Sequence, residues 1–243
     1  MRHSCLRFAV LLLVFVCRDG RADDPTPGQQ VAQVFQNAKS PESKLGYLLY
    51  LPQNHGQPNE RFPLLLFLHG SGERGQDITL VKKHGPPKLL GQGQHLPFVV
   101  VSPQCPADQR WEPATLLALL DDVSSKYAID PARIYVTGLS MGGFGTWELV
   151  AAAPDRFAAA VPICGHAAPW MAGPASRLPV WIVVGDRDAR SLVGNSLGMA
   201  DSLQARGADV KLTIMRGVGH DSWTQTYAMP ELYEWLLRHR KAE

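Results

Sequence analysis

A serine set among glycines, Gly138-Leu139-Ser140-Met141-Gly142, follows the apolar run Ile134-Tyr135-Val136-Thr137 and opens a helical pattern. Glycine weakens strands and helices by about 0.5–1 kcal/mol relative to alanine, so Gly138, Gly142, Gly143 and Gly145 together point to a backbone too crowded for side chains. In a Gly-x-Ser-x-Gly between strand and helix, the serine occupies a tight, strained turn. That turn lifts its oxygen to the carboxyl edge of a sheet, beside the positive end of a helix dipole. A serine hydroxyl becomes a good nucleophile only when a base takes its proton, and a histidine base needs a carboxylate to hold its tautomer. Both lie downstream. Val180–Val184 runs into Gly185-Asp186-Arg187-Asp188, and Val210–Met215 leads to Gly219-His220. Asp188 lies 48 residues after Ser140 and His220 another 32 on, each gap long enough for a helix and a strand.

The expected assignment is Ser140 as nucleophile, His220 as base and Asp188 as acid. Asp188 is preferred because it lies farther past its strand, where a loop can curl toward the histidine. Asp186 is the alternative, and otherwise ties down that loop. Developing negative charge needs two N–H donors. One is Met141 N–H, directly after the nucleophile. The other is Ser71 N–H, in the loop His69-Gly70-Ser71-Gly72 that follows Pro63–Leu68. Trp223, three residues past His220, and Trp111 are the candidates to line the substrate pocket. His69 is expected to satisfy backbone groups near the turn, and Glu73 and Arg74 to form an ion pair holding the loop.

Several apolar runs could position these residues. Lys44–Pro52 reads as a strand, as do Pro63–Leu68, Phe98–Ser102, Ile134–Thr137, Ala158–Ile163, Val180–Val184 and Val210–Met215. The later runs are continuous rather than alternating, as in strands buried on both faces of a parallel sheet. Helical spacing lies between them, around Leu116–Tyr127, after Ser140 as far as Pro154, over Ser196–Gly207 and from Pro230 onward. Val31–Ala38 reads as a short helix. Strand–helix alternation predicts one α/β domain over residues 23–243, a doubly wound, mostly parallel sheet flanked by helices.

The first 22 residues read differently. Arg2 and Arg7 precede ten unbroken apolar residues, Phe8–Cys17, and the small residues Gly20 and Ala22 follow. That is the pattern of a signal peptide cut after Ala22, and it is too short for the about 20 residues that span a bilayer. Secretion or export to a periplasm is expected, without stable membrane insertion. The chain holds 24 basic and 22 acidic residues; residues 1–22 account for four arginines and one aspartate, leaving 20 against 21. A near-neutral remainder without a basic stripe excludes nucleic acid as an expected partner. No His/Cys/Asp/Glu spacing suits zinc or calcium, so no metal or cofactor is expected. Cys105 and Cys164 fall on strands expected to lie three spacings apart, about 14 Å, against the about 7 Å between Cα atoms that a disulfide allows. Loops would have to close that gap for a bridge to form.

With these residues in place, the chain resembles the α/β-hydrolase superfamily. It is most similar to the secreted predicted-peptidase or carboxylesterase-like group related to polyhydroxybutyrate depolymerases, feruloyl esterases and dienelactone hydrolases. The stretches PLLLFLHGSGERGQD (63–77), VVVSPQCP (99–106), DPARIYVTGLSMGGFGTWEL (130–149), FAAAVPICG (157–165) and GVGHDSW (217–223) carry the resemblance. It implies the same triad and oxyanion hole. One departure is Val184, where relatives carry a histidine before the glycine.

The resemblance implies a serine hydrolase cleaving small or polymer-borne esters. Ester hydrolysis is preferred to peptide hydrolysis because this short chain lacks room for the large domain with which prolyl oligopeptidases screen substrates. A non-catalytic binding module is the remaining alternative. N-terminal sequencing of the exported protein should begin at Asp23; an intact Met1 on exported material would refute cleavage.

Overall fold

In a computed structural model, residues 25–37 and 44–241 are described. The expected signal peptide, residues 1–22, lies outside them. Eight strands form one sheet in the order β1-β2-β4-β3-β5-β6-β7-β8. They are β1 (Gln30–Gln36), β2 (Lys44–Tyr50), β3 (Phe62–Leu68), β4 (Val99–Pro103), β5 (Ile129–Leu139), β6 (Ala159–Ile163), β7 (Val180–Gly185) and β8 (Val210–Met215). From β4 to β8 every neighbouring pair is parallel. β1 and β2 are antiparallel additions at one edge. The expected doubly wound, mostly parallel α/β sheet is present.

The helices are α1 (Gly85–Gly91), α2 (Pro113–Lys126), α3 (Met141–Ala152), α4 (Ala172–Ala175), α5 (Arg190–Gln204), α6 (Trp223–Ala228) and α7 (Pro230–Arg238). Alternate residues of β3 separate the two layers. Leu64, Leu66 and Leu68 pack with side chains of α2, α3, α4 and α5. Leu65 and Phe67 face α1, α6 and α7. All seven residues of β3 are buried. This two-sided burial explains its continuous apolar sequence.

Two segments depart from the expectation. The described part of Val31–Ala38, which excludes Ala38, is not a helix: Gln30–Gln36 pairs residue for residue with β2, Val31 against Leu49 and Phe35 against Leu45. Val31, Val34 and Phe35 have helical spacing, but the available β2 edge imposes period two, burying Phe35 and exposing Val34. α5 begins at Arg190, six residues before the expected start at Ser196. Gly194 and Asn195 are weak helix formers and hid its first turn and a half.

His69 joins two strand ends. Its Nε2 accepts from Cys105 N–H at 3.0 Å, and Nδ1–H donates to the Gly70 carbonyl at 2.6 Å. It satisfies backbone, as expected. It is fully buried, and that burial lowers its pKa from 6.5 to about 4. Between those values the unfolded chain binds a proton that the folded chain refuses, so stability is complete above 6.5 and falls on acidification toward 4. Urea unfolding should show a loss of about 2 kcal/mol between pH 7 and pH 5, with an NMR signal of His69 that does not titrate in that range. A stability that is flat across the window would contradict a neutral His69.

Candidate active site

The parallel strands all end at one edge of the sheet, and the functional side chains gather there. Ser140 joins β5 to α3 with φ 52° and ψ −113°, a conformation that L-residues rarely adopt and that costs of order 1–3 kcal/mol. Its neighbours explain how the turn is held. A Cβ on Gly142 would lie 1.9 Å from the Leu68 carbonyl oxygen, and one on Gly138 would lie 2.3 Å from the Gly142 oxygen. The end of β3 therefore lies directly against the start of α3. Ser140 N–H is anchored to the Ile163 carbonyl at 2.9 Å, while Phe144 N–H bonds back to the Ser140 carbonyl at 3.0 Å.

The other two members arrive on the loops after β7 and β8. His220 Nε2 lies 2.9 Å from Ser140 Oγ, and its Nδ1 lies 2.8 Å from Asp188 Oδ2. A carboxylate only accepts, so the proton belongs on Nδ1, and Nε2 is left to accept from the serine hydroxyl. Asp188 is held by Ala189 N–H on its other oxygen, at 2.7 Å, and its side chain is only 4% exposed, whereas that of His220 is 44% exposed. Asp186 is not the partner. Its Oδ1 accepts from Gly217 N–H at 2.7 Å, tying the β7 loop to the β8 loop.

Met141 begins α3, so its N–H has no acceptor within the helix. Ser71 opens a 3-10 turn, Ser71–Glu73, at the end of β3. Both residues line a cleft of about 460 Å³ that includes Ser140 and His220.

The two tryptophans are placed differently from the expectation. Trp111 is a correction. It is 5% exposed, its indole N–H donates to the His69 carbonyl at 3.2 Å, and its ring fills the space beside Gly145. It supports the His69–Gly72 loop from behind instead of lining the cleft. Trp223 stands edge-on to the His220 ring, at 5.3 Å and 90°, and its indole N–H donates to His84 at 3.3 Å. It buttresses the His220 ring.

Glu73 and Arg74 do not pair with each other. Glu73 is buried and faces His84 at 3.8 Å, while Arg74 donates to the Ser71 and Gln109 carbonyls. Arg110, Phe144, His166 and Leu192 line the cleft too. Sequence reasoning gave them no role, because Arg110 lies in a polar loop and Phe144 in an apolar helix, with no motif to mark either.

Cys105 and Cys164 are both free and buried. Burial pushes the Cys164 thiol up to about 12, so it stays protonated beside the triad. Among the described residues one trio of metal-capable groups occurs, Cys164, Asp188 and His220, within 4.8 Å of one another. Its Asp188 and His220 are already engaged with each other.

The esterase family, described as "Putative esterase", matches residues 38–221, and the chain belongs to it. A crystal structure of a thermostable esterase superposes with a TM-score of 0.76 at 30% identity, covering 87% of this chain and 63% of that one. Acetylxylan esterase A of Emericella nidulans is 25% identical over 174 residues, 65% of this chain and 54% of that protein. Poly(3-hydroxyalkanoate) depolymerase C of Paucimonas lemoignei is 44% identical over 54 residues, 22% of this chain and 13% of that protein. The chain thus spans less than two thirds of each of these three relatives. Among the described residues no helix is long and apolar enough to cross a membrane.

The crowding at the elbow has a measurable cost. Gly142→Ala should destabilise the fold by about 3 kcal/mol or more in urea, at the upper end of overpacking. Gly194→Ala, exposed in α5 with nothing near its added methyl, should be neutral or stabilising by about 0.5–1 kcal/mol. Equal effects at the two positions would contradict the contact.

Proposed function

We propose that the protein is an exported serine esterase that hydrolyses carboxylic esters through an acyl-enzyme. One observation carries this reading: the unbroken relay from Asp188 Oδ2 through His220 to Ser140 Oγ, at 2.8 and 2.9 Å, on a strained elbow.

Ser140 Oγ attacks the ester carbonyl carbon as His220 Nε2 takes its proton, and Asp188 stabilises the imidazolium that results. The carbonyl oxygen becomes an oxyanion facing Met141 N–H and Ser71 N–H, each donor of this kind being worth about 3–4 kcal/mol in a comparable system. Collapse breaks the bond to the alcohol oxygen, which takes the proton back from Nε2 and leaves. A water, deprotonated by His220, then attacks the acyl-Ser140 carbonyl, and Ser140 regains its proton as the acid departs. Esters fit this site better than amides, because an alkoxide leaves with less help from a proton than an amine requires. The activities named for two relatives, acetylxylan esterase and poly(3-hydroxyalkanoate) depolymerase, support a polymer-borne ester as substrate. Export is read from residues 1–22.

Wild type should turn over short p-nitrophenyl esters and leave a p-nitroanilide untouched. Ser140→Ala should lower kcat by about 10⁴-fold or more and abolish labelling by a fluorophosphonate. Turnover of the anilide would favour a peptidase, and a folded protein that is neither labelled nor active would favour a binding module.

A further inference from the structure

The cleft beside Ser140 holds more positive charge than acyl transfer requires. Arg74 and Arg110 both line it. Arg74 Nε donates to the Ser71 carbonyl at 3.0 Å and Nη1 to the Gln109 carbonyl at 3.2 Å. Those acceptors are neutral, so they fix the guanidinium and leave its charge uncompensated. Arg110 follows Gln109 in the chain, and its guanidinium carbon lies 6.0 Å from the centre of the Phe144 ring, one turn of α3 past the nucleophile. Among the described residues neither arginine has a carboxylate at ion-pair distance. Glu73 faces His84 instead. Glu148 feels the charge of Arg110 without reaching ion-pair distance, and burial raises its carboxyl above the ordinary value.

Two guanidiniums lining one cleft with no ion-paired carboxylate make it attractive to an anion. We infer that Arg74 and Arg110 form an anion subsite, and that the preferred ester carries a free carboxylate on its acyl or its alcohol part. The inference rests on the esterase reading above. The planar fork of a guanidinium matches a carboxylate with two parallel hydrogen bonds. Arg110, stacked over the Phe144 ring, and Arg74, fixed by two carbonyls, line the same cleft as Ser140, so a carboxylate there can be met by both while the ester lies at the serine.

Two matched pairs of esters test this. Monomethyl terephthalate against methyl 4-carbamoylbenzoate places the charge on the acyl side, and 4-acetoxybenzoate against 4-acetoxybenzamide places it on the alcohol side. Each kcat/KM is divided by the rate of the same ester with hydroxide. Wild type should favour the carboxylate in one pair by about tenfold or more, mostly through KM, and the pair that shows it assigns the side. Arg110→Gln should remove about tenfold of that preference, Arg110→Lys should retain part of it, and 0.5 M salt should shrink it in wild type. Equal treatment of charged and neutral esters by wild type, or a preference that survives Arg110→Gln, overturns the subsite. Fluorophosphonate labelling of Ser140 without turnover of any of the four esters also overturns it and leaves the esterase reading standing. Absence of labelling removes both.

Discussion

All the chemistry of the molecule depends on one contact between two stretches of backbone. The carbonyls at the end of β3 lie where the Cβ atoms of α3 would begin, and only glycine at position 142 lets them stay there. With β5 between β3 and β6, and Ser140 N–H pinned to Ile163, the chain has no room to relax. The serine is driven into a left-handed turn, and its oxygen stands clear of the sheet edge. The energy stored in that turn is small beside the burial of the surrounding strands. A fold in which β3 is wholly buried can hold a conformation that an isolated peptide would abandon.

The same contact fixes the loop after β3. The residues that crowd Gly142, Leu68 and His69, lead directly into the loop of Ser71. His69 is held by Cys105 and in turn supports Trp111, so a chain of buried polar and aromatic contacts runs from β4 to the elbow. Within this frame Trp111 acts from behind the site. The His220 side is built separately, from loops beyond β7 and β8 that are bonded to each other through Asp186 and Arg187. Trp223 and Asp188 hold the His220 ring at its edge and at Nδ1, leaving Nε2 toward the serine.

Much of this was legible in the sequence because crowding and burial leave compositional traces. Continuous apolar runs marked the buried parallel strands, and the glycines around Ser140 marked the tight turn. The order Ser140, Asp188, His220 allowed only loops at one sheet edge to bring them together. What stayed hidden depended on neighbours that a linear reading lacks. β1 carries helical spacing and became a strand only because β2 offered it an open edge. Trp111 looked like a pocket residue by type, yet the gap beside Gly145 accepts its ring. Arg110 and Phe144 belong to different elements, and their meeting in the cleft has no signature in either segment.

The candidate site is divided between the interior and one edge of the sheet. Ser140 hangs from β5 in the interior, whereas His220 is delivered by β8, an edge strand with one neighbour and no fully buried residue. Local opening draws on such edges first. Detachment of β8 would carry His220 away from an intact Ser140 elbow, so under the proposed mechanism activity should be lost on warming while the core is still folded, and recover on cooling.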